Sequence, residues 1–105
     1  MNKTEKLFWN ELSSNPNAIH ILEKYTYMIN WSELSTNSNA IPILERNLDK
    51  IDWYKLSENP NAIHILERHQ DKINWNKFSS NEKIFEIDYK EFDKTNREFY
   101  NANML

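Results

Sequence analysis

The chain contains neither cysteine nor glycine, and only three of its 105 residues are proline. Without cysteine there are no disulfides, thiolate metal sites or cysteine nucleophiles, and the redox compartment is left undetermined. Without glycine no segment can form the phosphate-cradling loops of nucleotide sites. No apolar run reaches signal-peptide or membrane-spanning length, and Met1 to Lys6 is a polar lead into a helical pattern. The chain therefore reads as soluble, intracellular and not secreted. A large charge of one sign is also missing. The formal net charge is −3 with acids and bases interspersed, which supplies no basic field to collect phosphate counterions and argues against nucleic acid or a membrane surface as partner.

What is present is apolar and periodic. Aromatics make up 13% of the residues and include four tryptophans, enough to build a core in one domain of this length and to disfavour disorder. Trp9, Trp31, Trp53 and Trp75 are spaced by 22 residues, and half the positions of the first three blocks are identical. The shared residues of the first block are Trp9, Leu12, Ser13, Asn15, Asn17, Ala18, Ile19, Ile21, Leu22, Glu23 and Ile29. Self-similarity of this kind is the signature of a repeat architecture. The fold class expected is all-α: an α-solenoid of short helix-turn-helix repeats with a longer C-terminal capping helix. It forms one domain over 1–105, with units at about 9–30, 31–52 and 53–74 and a degenerate cap at 75–105.

Turn chemistry predicts where the helices lie. Asn59 is a good N-cap and Pro60 suits the first helical position, so a helix should start at Pro60. Ala62, Ile63, Ile65 and Leu66 then form one apolar stripe, with His64, Glu67 and Arg68 turned away and the helix ending near Arg68. Asn47 tolerates the left-handed conformation that ends many helices. Asp49 and Asp71 are the expected caps of a second short helix through Ile51, Trp53 and Leu56, or through Ile73, Trp75 and Phe78. Ser38 stands where the neighbouring blocks have Pro16 and Pro60, and Pro42 stands where they have His20 and His64. A helix starting at Ser38 would lose a backbone bond at Pro42, so this one should start later, capped by Asn39, or open with a distorted turn. Each unit is too small to bury its own apolar face and needs its neighbours for stability.

The pattern decays from Ser79, as expected of a terminal cap. Beyond it Asp88 can cap a helix with Tyr89, Phe92, Asn96 and Phe99 on one face. At the other end Leu7 occupies the slot of Ile29. Both ends are expected to be those of a complete small protein.

The string from Trp53 to Glu67, W-x-x-L-S-x-N-P-N-A-I-x-I-L-E, resembles the short tandem repeats abundant in proteins of giant, mimivirus-like DNA viruses. The resemblance covers nearly the whole chain, and Ile84 to Tyr89 is similar to the closing segment of those arrays. Heavy use of Asn, Ile and Lys suits the AT-rich genomes of such viruses. The resemblance implies a repeat fold and a viral origin, with the host cytoplasm or the virion as location. It brings no catalytic or binding residues with it. Ser38 and Pro42 depart from its pattern, which bears only on the local helix start.

No constellation of side chains points to catalysis. His20 and His64 recur two units apart, about 16–20 Å if helices pack at ordinary spacing, and cannot share an ion. His69 stands at a helix-ending position shared with Tyr25 and Asn47. Glu23, Glu45 and Glu67 recur in register, each followed by Lys24, Arg46 or Arg68, which suits a role in every unit, an ion pair between units or a helix-surface bond, better than a single asymmetric active site. Ser13, Ser35, Ser57 and Ser79 have no base at a fixed spacing and read as turn residues. The tryptophans, each with Leu or Phe three residues on, read as core. No enzyme, cofactor or metal is expected. The expected function is a protein–protein interaction scaffold whose partner meets the positions where the units differ: Asn10, Ser32 and Tyr54; Ser14, Thr36 and Glu58; His20, Pro42 and His64. The alternative is a structural viral component or homo-oligomer that self-pairs at an edge around Leu7, Phe8 and Trp9.

Overall fold

The computed structural model describes residues 1–84. These are helical, with no strand among them, and the helices are short. They are α1 (Lys3–Ser14), α2 (Ile19–Lys24), α3 (Trp31–Leu34), α4 (Ile41–Glu45), α5 (Trp53–Leu56), α6 (Ile63–Arg68) and α7 (Trp75–Phe78). Single 3-10 turns stand at Pro16–Ala18, Thr26–Met28, Leu48–Lys50 and Gln70–Lys72. No helix among the described residues is long and apolar enough to cross a membrane. The helix expected from Asp88 onward lies outside the described residues.

The one-turn helices α3, α5 and α7 owe their starts to the residue directly before each tryptophan. Asn30, Asp52 and Asn74 accept side-chain bonds from the amides of Glu33, Lys55 and Lys77 at 3.0, 3.2 and 3.0 Å, satisfying donors that a helix start leaves open. Asp49 and Asp71, the expected caps, lie instead inside the 3-10 turns. The reason is Ile51 and Ile73, whose extended backbone (ψ 134° and 131°) interrupts the helical run before the tryptophan.

The second helix of each block starts three residues later than the proline suggests. In Asn59-Pro60-Asn61-Ala62 the Asn59 side chain accepts from the Asn61 amide at 3.1 Å, and the Ala62 amide donates to the Asn59 carbonyl at 3.0 Å. That closes a tight turn and leaves Ala62 at φ −97°, ψ 8°, so α6 begins at Ile63 without a side-chain cap. The same turn recurs at Asn15, Asn37 and Asn81, closed by the amides of Ala18, Ala40 and Ile84. It needs no proline, since Ser38 and Glu82 occupy the second position in two of the four. Unit two is therefore not displaced relative to its neighbours. Its helix starts at Ile41, in the slot of Ile19 and Ile63, with Ala40 and not Asn39 before it. Pro42 falls in the first turn, where its missing N–H would have had no helical partner. Helix ends also dispense with the left-handed conformation, because no described residue has positive φ. Asn47, at φ −139°, closes α4 by donating Nδ2 to the Ile43 carbonyl at 2.9 Å.

The apolar stripes meet in one core. Leu22, Leu44 and Leu66 are fully buried from the second helices, as are Leu34 and Leu56 from the first helices; Phe78 is 1% exposed. Each such side chain contributes about 1.5–3 kcal/mol by leaving water. Ala18, Ala40 and Ala62 pack at the turns, where a larger side chain would hold the helices apart. Trp75 is buried, whereas Trp9, Trp31 and Trp53 pack on the core half-exposed.

Hydrogen bonds join block to block at constant sequence separations. Nδ2 of Asn37 donates to the carbonyls of Ser13 and Asn15, both at 3.0 Å. Asn59 repeats this to Ser35 and Asn37, and Asn81 to Ser57 and Asn59. Ser13, Ser35 and Ser57 form a second ladder. Each Oγ donates to the tryptophan carbonyl four residues back and accepts the amide of Asn30, Asp52 or Asn74 in the next block. Asn39 and Asn61 add outer rungs to the Pro16 and Ser38 carbonyls at 2.9 and 2.7 Å. The acids expected to pair between units do so on the surface, Glu23 with Arg46 at 3.4 Å and Glu45 with Arg68 at 3.7 Å.

Replacing Asn59 with alanine removes three bonds: it strands the Ser35 carbonyl and leaves the Asn37 carbonyl with the Ala40 amide alone. We expect Asn59→Ala to lower the unfolding free energy by about 3 kcal/mol in a urea titration. Asn15→Ala, at an exposed position with one local bond, should cost about 1 kcal/mol. Equal losses would show that the inter-block bonds carry no weight.

Candidate functional site

The nine positions at which the units differ do not share one environment. Asn10 and Ser32 are half-buried and bonded across blocks: Asn10 Oδ1 accepts from Asn30 Nδ2 at 2.7 Å, and Ser32 Oγ donates to Asp52 Oδ2 at 2.9 Å. Although expected to meet a partner, they are turned to the next block, where they orient the caps of the next helices. Their variation follows that of the cap, Asn with Asn and Ser with Asp. Ser14 and Thr36 bond the carbonyls of Glu11 and Glu33 three residues back. His20, Pro42 and His64 are exposed on the second helices, with His64 Nδ1 at 3.8 Å from Glu67 Oε2. Among the described residues no group of three His, Asp or Glu side chains could hold a metal ion.

Three of the nine do come together. Thr36, Tyr54 and Glu58 line a groove of about 320 Å³ with Lys55, Asn59, Pro60 and Lys77. Thr36 stands just past the end of α3, Tyr54 and Lys55 are on α5, Glu58 to Pro60 form the following turn, and Lys77 is on α7. The floor residue, Asn59, is 2% exposed and held by its inter-block bonds. Beyond Pro60 lies a second hollow of about 280 Å³, lined by Pro60, Asn61, Ile63, His64, Glu67 and Lys83. Pro60 is the ridge between the two, and its ring keeps the ridge stiff.

Paired charges lie along the first groove. Lys77 Nζ sits 3.3 Å from Glu58 Oε1 and 4.9 Å from the centre of the Tyr54 ring. Hydrogen bonding to Tyr54, and then to Glu58, holds the Lys77 ammonium above the ordinary lysine range. Lys55 Nζ reaches Glu33 Oε1 at 3.7 Å. The sequence reading missed Lys55 and Lys77, although a signal was there: one repeat slot reads Glu11, Glu33, Lys55, Lys77, changing sign between the second and third blocks. It also read Pro60 only as a helix starter. An aromatic face, a rigid proline and paired charges surround the hollow.

The raised Lys77 value has a pH consequence of definite sign. The ordinary value is 10.5 and the folded one lies higher, so the pairing is fully present below pH 10.5 and is lost as pH rises through the folded-state value. With Tyr54→Phe, NMR of the Lys77 side chain across alkaline pH should show a lower midpoint than in the wild type. An unmoved midpoint would mean that the phenol is not its partner. In comparisons with known proteins, no family model, no curated protein and no solved structure matches this chain.

Proposed function

We propose that the chain is a non-enzymatic protein–protein interaction scaffold, an α-solenoid of tandem helical units that presents the groove of Thr36, Tyr54 and Glu58 to a protein partner. The observation that carries this reading is the convergence of three variable positions on one concave surface whose floor is the invariant ladder residue Asn59. Such a division holds a frame constant while its rim is free to change. The solenoid reading is supported by bonds that recur at separations of 22 and 24 residues, and by extents of 46 × 23 × 22 Å. Resemblance to the repeats of giant DNA viruses supports a viral origin, with action in the host cytoplasm or the virion. Interspersed charge supports a protein partner over nucleic acid or membrane.

The test is a quantitative pull-down from the natural cell with the wild type and a Thr36→Ala, Tyr54→Ala, Glu58→Ala variant. Circular dichroism should be unchanged, because these side chains lie outside the ladders. Loss of Tyr54 and Glu58 should lower recovery of at least one partner by about tenfold or more. Recovery of every wild-type partner within about twofold would overturn the reading.

A further inference from the structure

The first block departs from its successors in a way the groove does not explain, and the repeat itself supplies the comparison. The slot directly before the later tryptophans holds Asn30, Asp52 and Asn74, and before the first it holds Phe8. Where they carry Asn47 and His69, the first carries Tyr25. Where they carry Asp49 and Asp71, the first carries Tyr27. Two slots that are polar elsewhere are thus aromatic here, and a third holds Tyr25 against Trp9 where His69 packs its ring on Trp53. In the first block the rings form a continuous chain: Phe8 to Trp9 at 5.7 Å, Trp9 to Tyr25 at 6.0 Å and Tyr25 to Tyr27 at 6.3 Å, all edge-to-face. Phe8 is 58% and Tyr27 80% exposed. Leu7 beside them is 56% exposed, although its slot is filled by Ile29, Ile51 and Ile73, each buried in the core.

We infer that this face is a homodimer interface, in which α1 packs antiparallel on α1 of a second copy across a two-fold axis. The surface left open by Leu7, Phe8 and Tyr27 is on the order of 400 Å². That is about half of the roughly 800 Å² each partner contributes to a standard interface, and polar side chains of α1 supply the remainder. The charges favour a second copy in this orientation. Lys3, Glu5 and Lys6 stand toward the start of α1, leaving that end net positive, and Glu11 stands toward its other end, with no base in the last turn. An antiparallel copy centred on Leu7 and Phe8 brings each Glu11 toward the partner's Lys3, whereas a parallel one sets like charges side by side. Signs are mixed around the patch, so it offers no net field to a strongly charged protein. This surface lies apart from the groove and does not depend on the reading given to it.

The repeat also designs the test. Phe8→Asn and Tyr27→Asp install residues that the same slots carry in later blocks, on side chains already exposed. Sedimentation equilibrium of the full chain should show a monomer–dimer equilibrium. The double variant should have a dissociation constant raised by about 100-fold or more, with an unchanged circular dichroism spectrum, and Tyr54→Ala should leave the dimer intact. A wild type that stays monomeric at the highest concentration reached, one that assembles beyond a dimer, or a double variant that dimerises like the wild type would each overturn the proposal.

Discussion

One carboxamide, repeated along the chain, holds the rest in place. In Asn37, Asn59 and Asn81 the oxygen accepts the amide two residues ahead and so shapes the turn, while the nitrogen gives both hydrogens to carbonyls of the block before. The same side chain thus makes the local structure and the joint between blocks. Aspartate could shape the turn but has no donor, serine has a single donor hydrogen, and glutamine places its amide one carbon too far away. All three carboxamides are at most 2% exposed, where an unmade bond costs far more than a made one returns. Helices of four to six residues have little stability of their own. The ladder gives them fixed positions against which Leu22, Leu44, Leu66 and their neighbours pack.

This arrangement explains which substitutions the blocks tolerate. Pro, Ser and Glu occupy the residue after the turn asparagine, because the turn is set by the side chain before it and not by a fixed φ. Pro42 fits a slot held elsewhere by histidine, because every second helix starts one residue earlier, at isoleucine. Variation at Asn10 and Ser32 is confined to groups able to bond the cap of the next helix. Tyr54 is the exception in that slot, and there the side chain turns outward to meet Lys77. The rim of the groove arises where one unit exchanges the bond to the next helix cap for an aromatic side chain that meets Lys77.

Much of the local physics was legible in the residues. The stripe Ala62, Ile63, Ile65, Leu66 is buried as its spacing requires, and the recurring acid–base pairs bridge Glu23 to Arg46 and Glu45 to Arg68. Helix starts were less legible. Asn59 and Pro60 read as an ordinary cap, yet the carboxamide is shared with the neighbouring block and the helix waits until Ile63. Asp49 and Asp71 look like caps to any local rule. Only the extended backbone at Ile51 and Ile73 moves that duty to Asp52 and Asn74. Of the groove, Thr36, Tyr54 and Glu58 could be singled out as variable, but not as neighbours. Lys77 lies 19 and 23 residues from Glu58 and Tyr54, a cross-block relation that no helical period reveals.

By itself the sequence determined the helical class, the apolar stripes, the 22-residue register and the absence of any glycine- or cysteine-based chemistry, because each follows from residue type and spacing along one chain. Tertiary structure alone decided which polar side chains face the next block and which face solvent. A half-buried Asn10 and an exposed Thr36 are equally polar on paper, and what separates them is whether a partner stands within about 3 Å, a distance set by the packing of blocks and not by local preference.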